Sequence, residues 1–346
     1  MKLYKGEKMP NDNLITIFQK NTPGYSFLLT KNNKVLVKGA LGLANLKNKI
    51  KNTTKTNFRL CSLTKPFTAF AILLLVEKKY LSLENTLPKY FSDAPSFWKK
   101  ITIKNLLTHT SGLPDYEIIL AQGKKQNNNL YFDNNDALRV LFRLDKPLFL
   151  PGQKAKYSES GFVLLALIIE KISGKTYAEF LRNEIFLPLN MKSTFVLDKP
   201  DGIIPNRAIG YQKIKNEFRV FDEDPLNYVL GNEGIYSSVE DLWSWDKVWQ
   251  QNNLISYQRI KKAMTPYMLT NGLKGKYGYS WLIGKYKNKK IVYHDGEWVG
   301  FRGIILKIPQ EKITVVVLSN LAYWNTEEDR LEVAFTILRR NEATIW

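Results

Sequence analysis

Apolar residues recur with a two-residue period at both ends of the chain. Gly24 to Thr30 and Lys34 to Gly39 are short runs separated by Lys31-Asn32-Asn33, the pattern of a hairpin closed by a tight polar turn. Tyr277 to Ile283, Lys290 to His294, Phe301 to Ile308 and Lys312 to Leu318 repeat the strand pattern, with turn signals between them. These strands are predicted to rejoin the first hairpin in one antiparallel sheet. Glu327 to Arg340 follows as an amphipathic helix, acidic in its first turn and basic in its last, as the helix dipole prefers.

Between the two strand regions the pattern changes to helices and loops. Asn45 to Thr56 is polar and turn-like, and a helix is predicted from near Ser62 to Glu77-Lys78-Lys79-Tyr80. From Leu81 to about Lys262, Ile101 to Leu107 and Ser160 to Ile172 carry the clearest helical spacing. Asn127 to Asn135 and Asp201 to Asn227 read as loops around a cleft. The predicted class is α+β: an antiparallel sheet flanked by terminal helices, with a large inserted helical lobe. Residues 1–346 are read as a single catalytic domain of two lobes, an α/β lobe at about 20–80 and 263–346 and a helical lobe at about 81–262.

At 346 residues and 44% apolar, the chain can fill a sizeable core. Its longest apolar runs, Ala69 to Val76 and Phe162 to Ile169, are eight residues each, far short of the roughly 20 a membrane helix needs. Met1 to Pro10 has no apolar core of a secretory signal, so the expectation is a cytoplasmic protein if the chain is complete as given. If a leader was trimmed, a periplasmic or secreted one is expected. A single cysteine, Cys61, excludes an intrachain disulfide and reads as a small buried residue behind the Ser62 position.

Fifty-one basic residues against 32 acidic give a net charge of +19, which favours contact with anionic surfaces. The lysines are scattered, with clusters at Lys47–Lys55 and Lys285–Lys290, and no helix-turn-helix, zinc-finger or aromatic RNA-binding pattern accompanies them. No specific nucleic-acid partner is expected. The two histidines, His109 and His294, and Cys61 lie far apart in sequence, so neither a metal site nor a cofactor is expected. The sequence leaves the oligomeric state open.

The candidate chemistry centres on Ser62-Leu63-Thr64-Lys65. A hydroxyl and an amine three residues apart at a helix start project from one face, so the lysine can activate the serine as a nucleophile. Pro66 is tolerable only in a first turn, which leaves the Ser62 N–H free to meet a developing oxyanion. No Gly-x-Ser-x-Gly elbow is present, which disfavours an α/β-hydrolase.

Tyr157-Ser158-Glu159 after Pro151-Gly152, and His294-Asp295-Gly296 after a strand, complete a series whose order and spacing resemble the serine β-lactamase-related family. That family includes class C β-lactamases, D,D-peptidases and related esterases. Leu106 to Pro114, Tyr157 to Gly161, Ile169 to Lys175, Phe186 to Met191 and Gly234 to Ser238 also resemble its segments, so the likeness covers roughly residues 23 to 320. The resemblance implies a β-lactamase/transpeptidase-like fold. It also implies Ser62 as nucleophile, Lys65 as its activator and Tyr157 as the phenol or phenolate that carries the proton to the leaving group. The N–H groups of Ser62 and Glu297 would form the oxyanion hole, with His294 and Gly296 on the flanking strand. His109 falls in a helix-ending turn, where its ring is expected to bond to backbone.

Two positions depart from the family's commonest pattern. Glu159 stands where Asn is usual, and a carboxylate beside Lys65 favours the ammonium form. His294 stands where β-lactamases usually place Lys, so a permanent positive charge for a substrate carboxylate is replaced by one that depends on pH. The expected activity is a serine hydrolase working through an acyl-enzyme on a small-molecule or peptide acyl substrate, an ester or a D-amino-acid amide. The alternatives are a β-lactamase or penicillin-binding protein, and a catalytically silent relative that binds peptidoglycan fragments or self-assembles. Tyr116, Tyr131, Phe132, Phe221, Tyr228 and Trp298 either line an apolar pocket or pin the loops.

Overall fold

The computed structural model describes residues 17–123, 131–250 and 254–345. Met1–Pro10 and the first residues of the expected loop from Asn127 lie outside the described residues. Six strands form the main sheet: β1 (Tyr25–Lys31), β2 (Lys34–Leu41), β3 (Leu282–Tyr286), β4 (Lys289–Trp298), β5 (Phe301–Ile308) and β6 (Ile313–Ser319). Their order is β3-β4-β5-β6-β1-β2, and every pairing is antiparallel. Pairing of β1 with β6, from Tyr25 opposite Ser319 to Lys31 opposite Ile313, joins the two ends of the chain as the periodicity predicts.

Five helices position the site: α1 (Lys65–Glu77), α2 (Glu159–Ser173), α3 (Val239–Val248), α4 (Tyr257–Ala263) and α5 (Glu327–Arg340). The alternation along β5 and β6 sorts their side chains to two faces. Ile305, Val316 and Leu318 join a core with Phe67 and Phe70 of α1, while Ile304, Leu306, Val315 and Val317 join Leu331, Ala334, Phe335 and Leu338 of α5. Both faces of these strands are buried because helices cover both. At the start of α5, Thr326 and Asp329 form a reciprocal capping box.

α1 is buried almost all round, because it lies between the sheet layer and the inserted lobe. Phe67 stacks on Trp245 of α3 with ring centroids 4.0 Å apart. The lobe agrees with the predicted class but is less uniformly helical than the pattern suggests. Phe58–Arg59, Ile235–Ser237 and Phe195–Val196 form a small sheet that ties the lobe to the strand before α1.

Several boundaries differ from expectation. Tyr277 to Trp281 is a turn, with Ser280 at φ 66° and the Gly278 N–H donating to the Trp281 carbonyl, so β3 starts only at Leu282. Its aromatic residues had mimicked a strand. β4 continues four residues past His294, which brings Gly296 and Glu297 into the sheet. The polar stretch 201–227 contains a hairpin, Tyr211–Ile214 with Glu217–Val220. Asp133 caps a helix, Asn134–Phe142, where a loop is expected up to Asn135. Its side chain accepts from the N–H groups of Asn135 and Asp136, the reason such polar residues favour helix starts as well as loops. Among the described residues no helix is long and apolar enough to cross a membrane.

Candidate active site

A single 3-10 turn, Cys61–Thr64, precedes α1 and carries Ser62. Its first residue, Cys61, has φ 53°, a conformation that costs a non-glycine residue of order 1–3 kcal/mol. The Leu60 N–H donates to the Ile235 carbonyl, and the Cys61 side chain is fully buried against β4 and β5, so both flanks of the kink are held. Burial also pushes the Cys61 thiol well above its ordinary pKa, leaving it a neutral packing group. Ser62 lies in the first turn, where a backbone N–H has no intrahelical acceptor.

Lys65 opens α1 and is fully buried. Its Nζ lies 3.0 Å from Ser62 Oγ, donates to the Asn232 carbonyl at 3.1 Å and forms an ion pair with Glu159 Oε2 at 2.5 Å. The same atom sits 4.8 Å from the centroid of the Tyr157 ring. The departure at Glu159 is therefore at the centre of the site, not on its edge.

Glu159 is the first residue of α2, and its N–H donates to Asp115 Oδ1 at 2.8 Å. Ser160 Oγ donates to the Pro114 carbonyl and accepts from the Tyr116 N–H, so the Pro114–Tyr116 segment clamps the start of α2. His109 holds the residue before it: its Nδ1 accepts from the Ser158 N–H at 3.1 Å, and its ring stacks on Tyr157 at 4.6 Å. The expected backbone bond is present, and His109 also braces Tyr157. Burial, followed by the Glu159 carboxylate, raises the Tyr157 pKa well above 10, so at neutral pH the resting group is a phenol and not a phenolate.

β4 supplies the opposite wall. A Cβ on Gly296 would come within 2.5 Å of the Leu60 carbonyl oxygen, so glycine lets the strand run against the Ser62 turn. Trp298 and Phe301 face each other across a two-residue turn, and ladder alternation then points the Glu297 N–H away from β5. Because β3 ends opposite Tyr293, that N–H lies on a free stretch of edge beside the Ser62 turn. The Glu297 carboxylate turns elsewhere, to Arg330 at 2.8 Å and Arg302 at 3.2 Å.

His294 is 1% exposed, and its Nδ1 lies 2.6 Å from the Asp295 carbonyl, which can only accept. The Nδ1 therefore carries the proton, leaving Nε2 a bare acceptor without a partner among the described residues. Burial lowers its pKa to about 4. The pH-dependent positive charge expected at this position is thus absent at neutral pH. Arg330 does not replace it, being paired with Asp295 at 2.7 Å and with Glu297.

Sequence reasoning passed over four residues that shape the site: Asp115, Glu117, Asn232 and Glu233. A chain runs from Lys65 to the Asn232 carbonyl, from Asn232 Nδ2 to the Tyr116 hydroxyl at 3.1 Å, and from that hydroxyl to Glu117 Oε1 at 3.3 Å. Burial and the neighbouring carboxylates push Glu117 up to about 8. Glu233, buried 3.5 Å from Arg59, is likewise raised to about 8. The readable signal was the pair of glycines around Asn232-Glu233: Gly231 and Gly234 both have positive φ, and a Cβ on Gly231 would meet the Phe162 carbonyl at 2.5 Å. Of the aromatics, Tyr116 serves this chain and Trp298 donates to Asn227 Oδ1 at 2.8 Å, so both pin loops. Among the described residues no three His, Cys, Asp or Glu side chains converge as metal ligands do.

A buried lysine against a serine at a helix start, with a tyrosine and a strand edge opposite, defines a serine hydrolase fold of the β-lactamase type. A family model described as Beta-lactamase matches residues 11–335, and the chain belongs to that family. It is 32% identical over 328 residues to penicillin-binding protein 4* of Bacillus subtilis (strain 168), covering 88% of this chain and 70% of that protein. To the D-aminopeptidase of Gluconobacter oxydans (strain 621H) it is 26% identical over 305 residues, covering 86% of this chain but 56% of that protein. The octameric penicillin-binding protein homologue from Pyrococcus abyssi superposes with a TM-score of 0.81 at 27% identity, over 94% of this chain and 75% of that one. D-amino acid amidase from Ochrobactrum anthropi SV3, at 21% identity and a TM-score of 0.77 over 96% of this chain and 99% of that one, shares the fold.

Proposed function

We propose that this protein is a serine hydrolase that forms an acyl-enzyme on Ser62 and acts on D-aminoacyl amides, esters or short peptides with a free amino group. The observation that carries the reading is the buried Lys65, 3.0 Å from Ser62 Oγ and paired with Glu159. Ser62 Oγ adds to the substrate carbonyl carbon as its proton passes to the Lys65–Glu159 pair. The oxyanion is met by the N–H groups of Ser62 and Glu297. On collapse the bond to the leaving group breaks, the Tyr157 phenol protonates it, and Lys65 returns a proton to Tyr157. Water then attacks the acyl carbonyl as one of its protons passes to the same Lys65–Glu159 pair, the bond from the carbonyl carbon to Ser62 Oγ breaks, and that proton is delivered to the departing Ser62 Oγ.

The electrostatics support the choice of substrate. Asp115, Glu117, Glu159 and Glu233 surround Lys65 and Arg59, while His294 is neutral and Arg330 is engaged. Among the described residues a substrate carboxylate meets no free cation here, whereas an ammonium meets carboxyl oxygens and favours ionisation of Glu117 and Glu233, which burial otherwise keeps protonated up to about pH 8. The relatives named for D-amino acid derivatives favour the same class. The Bacillus subtilis relative favours penicillin binding as a second reading, with slow acylation expected because a penicillin carboxylate lacks a cation to meet it. The test compares hydrolysis of D-phenylalaninamide, L-phenylalaninamide and N-acetyl-D-phenylalaninamide. Preference for the free-amino D-amide is expected; equal or faster turnover of the N-acetyl compound would overturn the assignment of substrate class.

A further inference from the structure

A second cavity of about 160 Å³ lies between α3, α4 and the ends of β4, β5 and β6, and none of its lining residues belongs to the catalytic group. Lys290, on its wall, is four residues before His294 on β4, a separation of about 13 Å along the strand. Lys261, Lys290, Lys307 and Lys312 converge on this hollow, whose lining holds a single carboxylate, Asp246.

That carboxylate is already fully used. Asp246 Oδ1 pairs with Lys307 and accepts from the Thr314 hydroxyl at 2.7 Å, while Oδ2 accepts from Gln250 at 3.1 Å and Thr30 at 3.3 Å. Lys307 is neutralised by it, and three cations are left. Among the described residues Lys290 reaches only a carbonyl, that of Met264 at 2.5 Å, and burial and the charge of Lys261 lower its pKa. Among the described residues Lys261 and Lys312 have no carboxylate within ion-pair distance. Lys312 is held at φ 50°, a left-handed conformation uncommon for lysine. The remaining walls are apolar, from Trp249, Ile260, Met264 and Ile313, and the 4%-exposed Trp249 has an indole N–H without a partner among the described residues.

We propose that this cavity is a binding site, separate from the catalytic cleft, for a small carboxylic acid anion with a compact apolar body. Its carboxylate takes the uncompensated lysines, and the apolar body lies against Ile260, Met264 and Ile313. The volume fits a body about the size of a benzene ring, which a cavity of roughly 150 Å³ accommodates. A multiply charged anion such as phosphate would leave these walls in contact with charge.

The test is calorimetric titration of phenylacetate into the intact protein, with phenethylammonium as the same body bearing the opposite charge and acetate as the head alone. Lys261 and Lys312 are exposed at the rim, so Lys261→Glu, Lys312→Glu and the double variant can be compared without disturbing the core. Saturable phenylacetate binding is expected, with acetate much weaker and phenethylammonium absent. Reversal of both rim charges weakens phenylacetate by about tenfold or more, as expected for losing charge-assisted contacts. Absence of saturable binding, equal binding of the cation, or undiminished binding by both single variants and the double would overturn the proposal.

Discussion

Replacing Glu117 by Gln tests the electrostatic account of the site away from the reacting atoms. The substitution keeps an oxygen that can accept from the Tyr116 hydroxyl, now 3.3 Å away, and removes only the ability to ionise. Burial, then Glu159 and Glu233, raise the Glu117 carboxyl from 4.5 to about 8. Across that window the folded protein holds a proton that the unfolded chain has lost. Stability from this group is therefore fully present below pH 4.5 and is lost as pH rises through about 8. The slope is about 1.4 kcal/mol per pH unit, so from pH 5 to 8 the wild type should lose about 4 kcal/mol relative to Glu117→Gln, or roughly half that where solvent screens the side chain. Urea unfolding at a series of pH values measures it directly. The variant should match the wild type in acid and exceed it in alkali. A difference between the two that stays constant with pH would mean that Glu117 ionises like an ordinary surface carboxylate and that burial does not hold its proton.

Three further outcomes follow from the same geometry. Gly296→Ala places a Cβ 2.5 Å from the Leu60 carbonyl, so it should lower stability by about 1–3 kcal/mol and slow acylation; wild-type melting and acylation rates would show that β4 does not constrain the Ser62 turn. His294→Ala should lower turnover yet leave slow acylation of Ser62, and because the ring's pKa is lowered to about 4, an acid limb near 6.5 in the wild-type profile should survive the substitution if one exists. Glu159→Asn removes the partner 2.5 Å from Lys65, which should destabilise the fold by about 3 kcal/mol, move the pH–rate profile and raise amide turnover relative to esters; unchanged profiles and ratios would mean the carboxylate has no part in the proton path.

The sheet was legible because β5 and β6 alternate two apolar sets, and α5 because its capping box and end charges are written locally. Ser62 and Lys65 were legible for the same reason: three residues in one turn suffice to bring them together. Tyr277 to Trp281 misled because an aromatic-rich turn imitates a strand until the positive φ of Ser280 is known. Asp115 and Glu117 could not be read, and Glu233 was marked only by its flanking glycines, since their roles arise from loops that meet only after α1, α2 and the 231–234 loop pack together. The neutrality of His294 was hidden likewise, because it depends on burial and on one carbonyl contact rather than on residue type.

Covalent labelling distinguishes Ser62 from every other side chain as the acylated group. The intact protein and Ser62→Ala would be treated with a fluorophosphonate and with an activated D-aminoacyl ester, then followed by intact mass and peptide mapping. One adduct per chain, mapped to Ser62, and no adduct on the folded Ser62→Ala protein are the outcome expected of the Ser62 assignment. Modification at another residue, or labelling of Ser62→Ala at the wild-type rate, would contradict it.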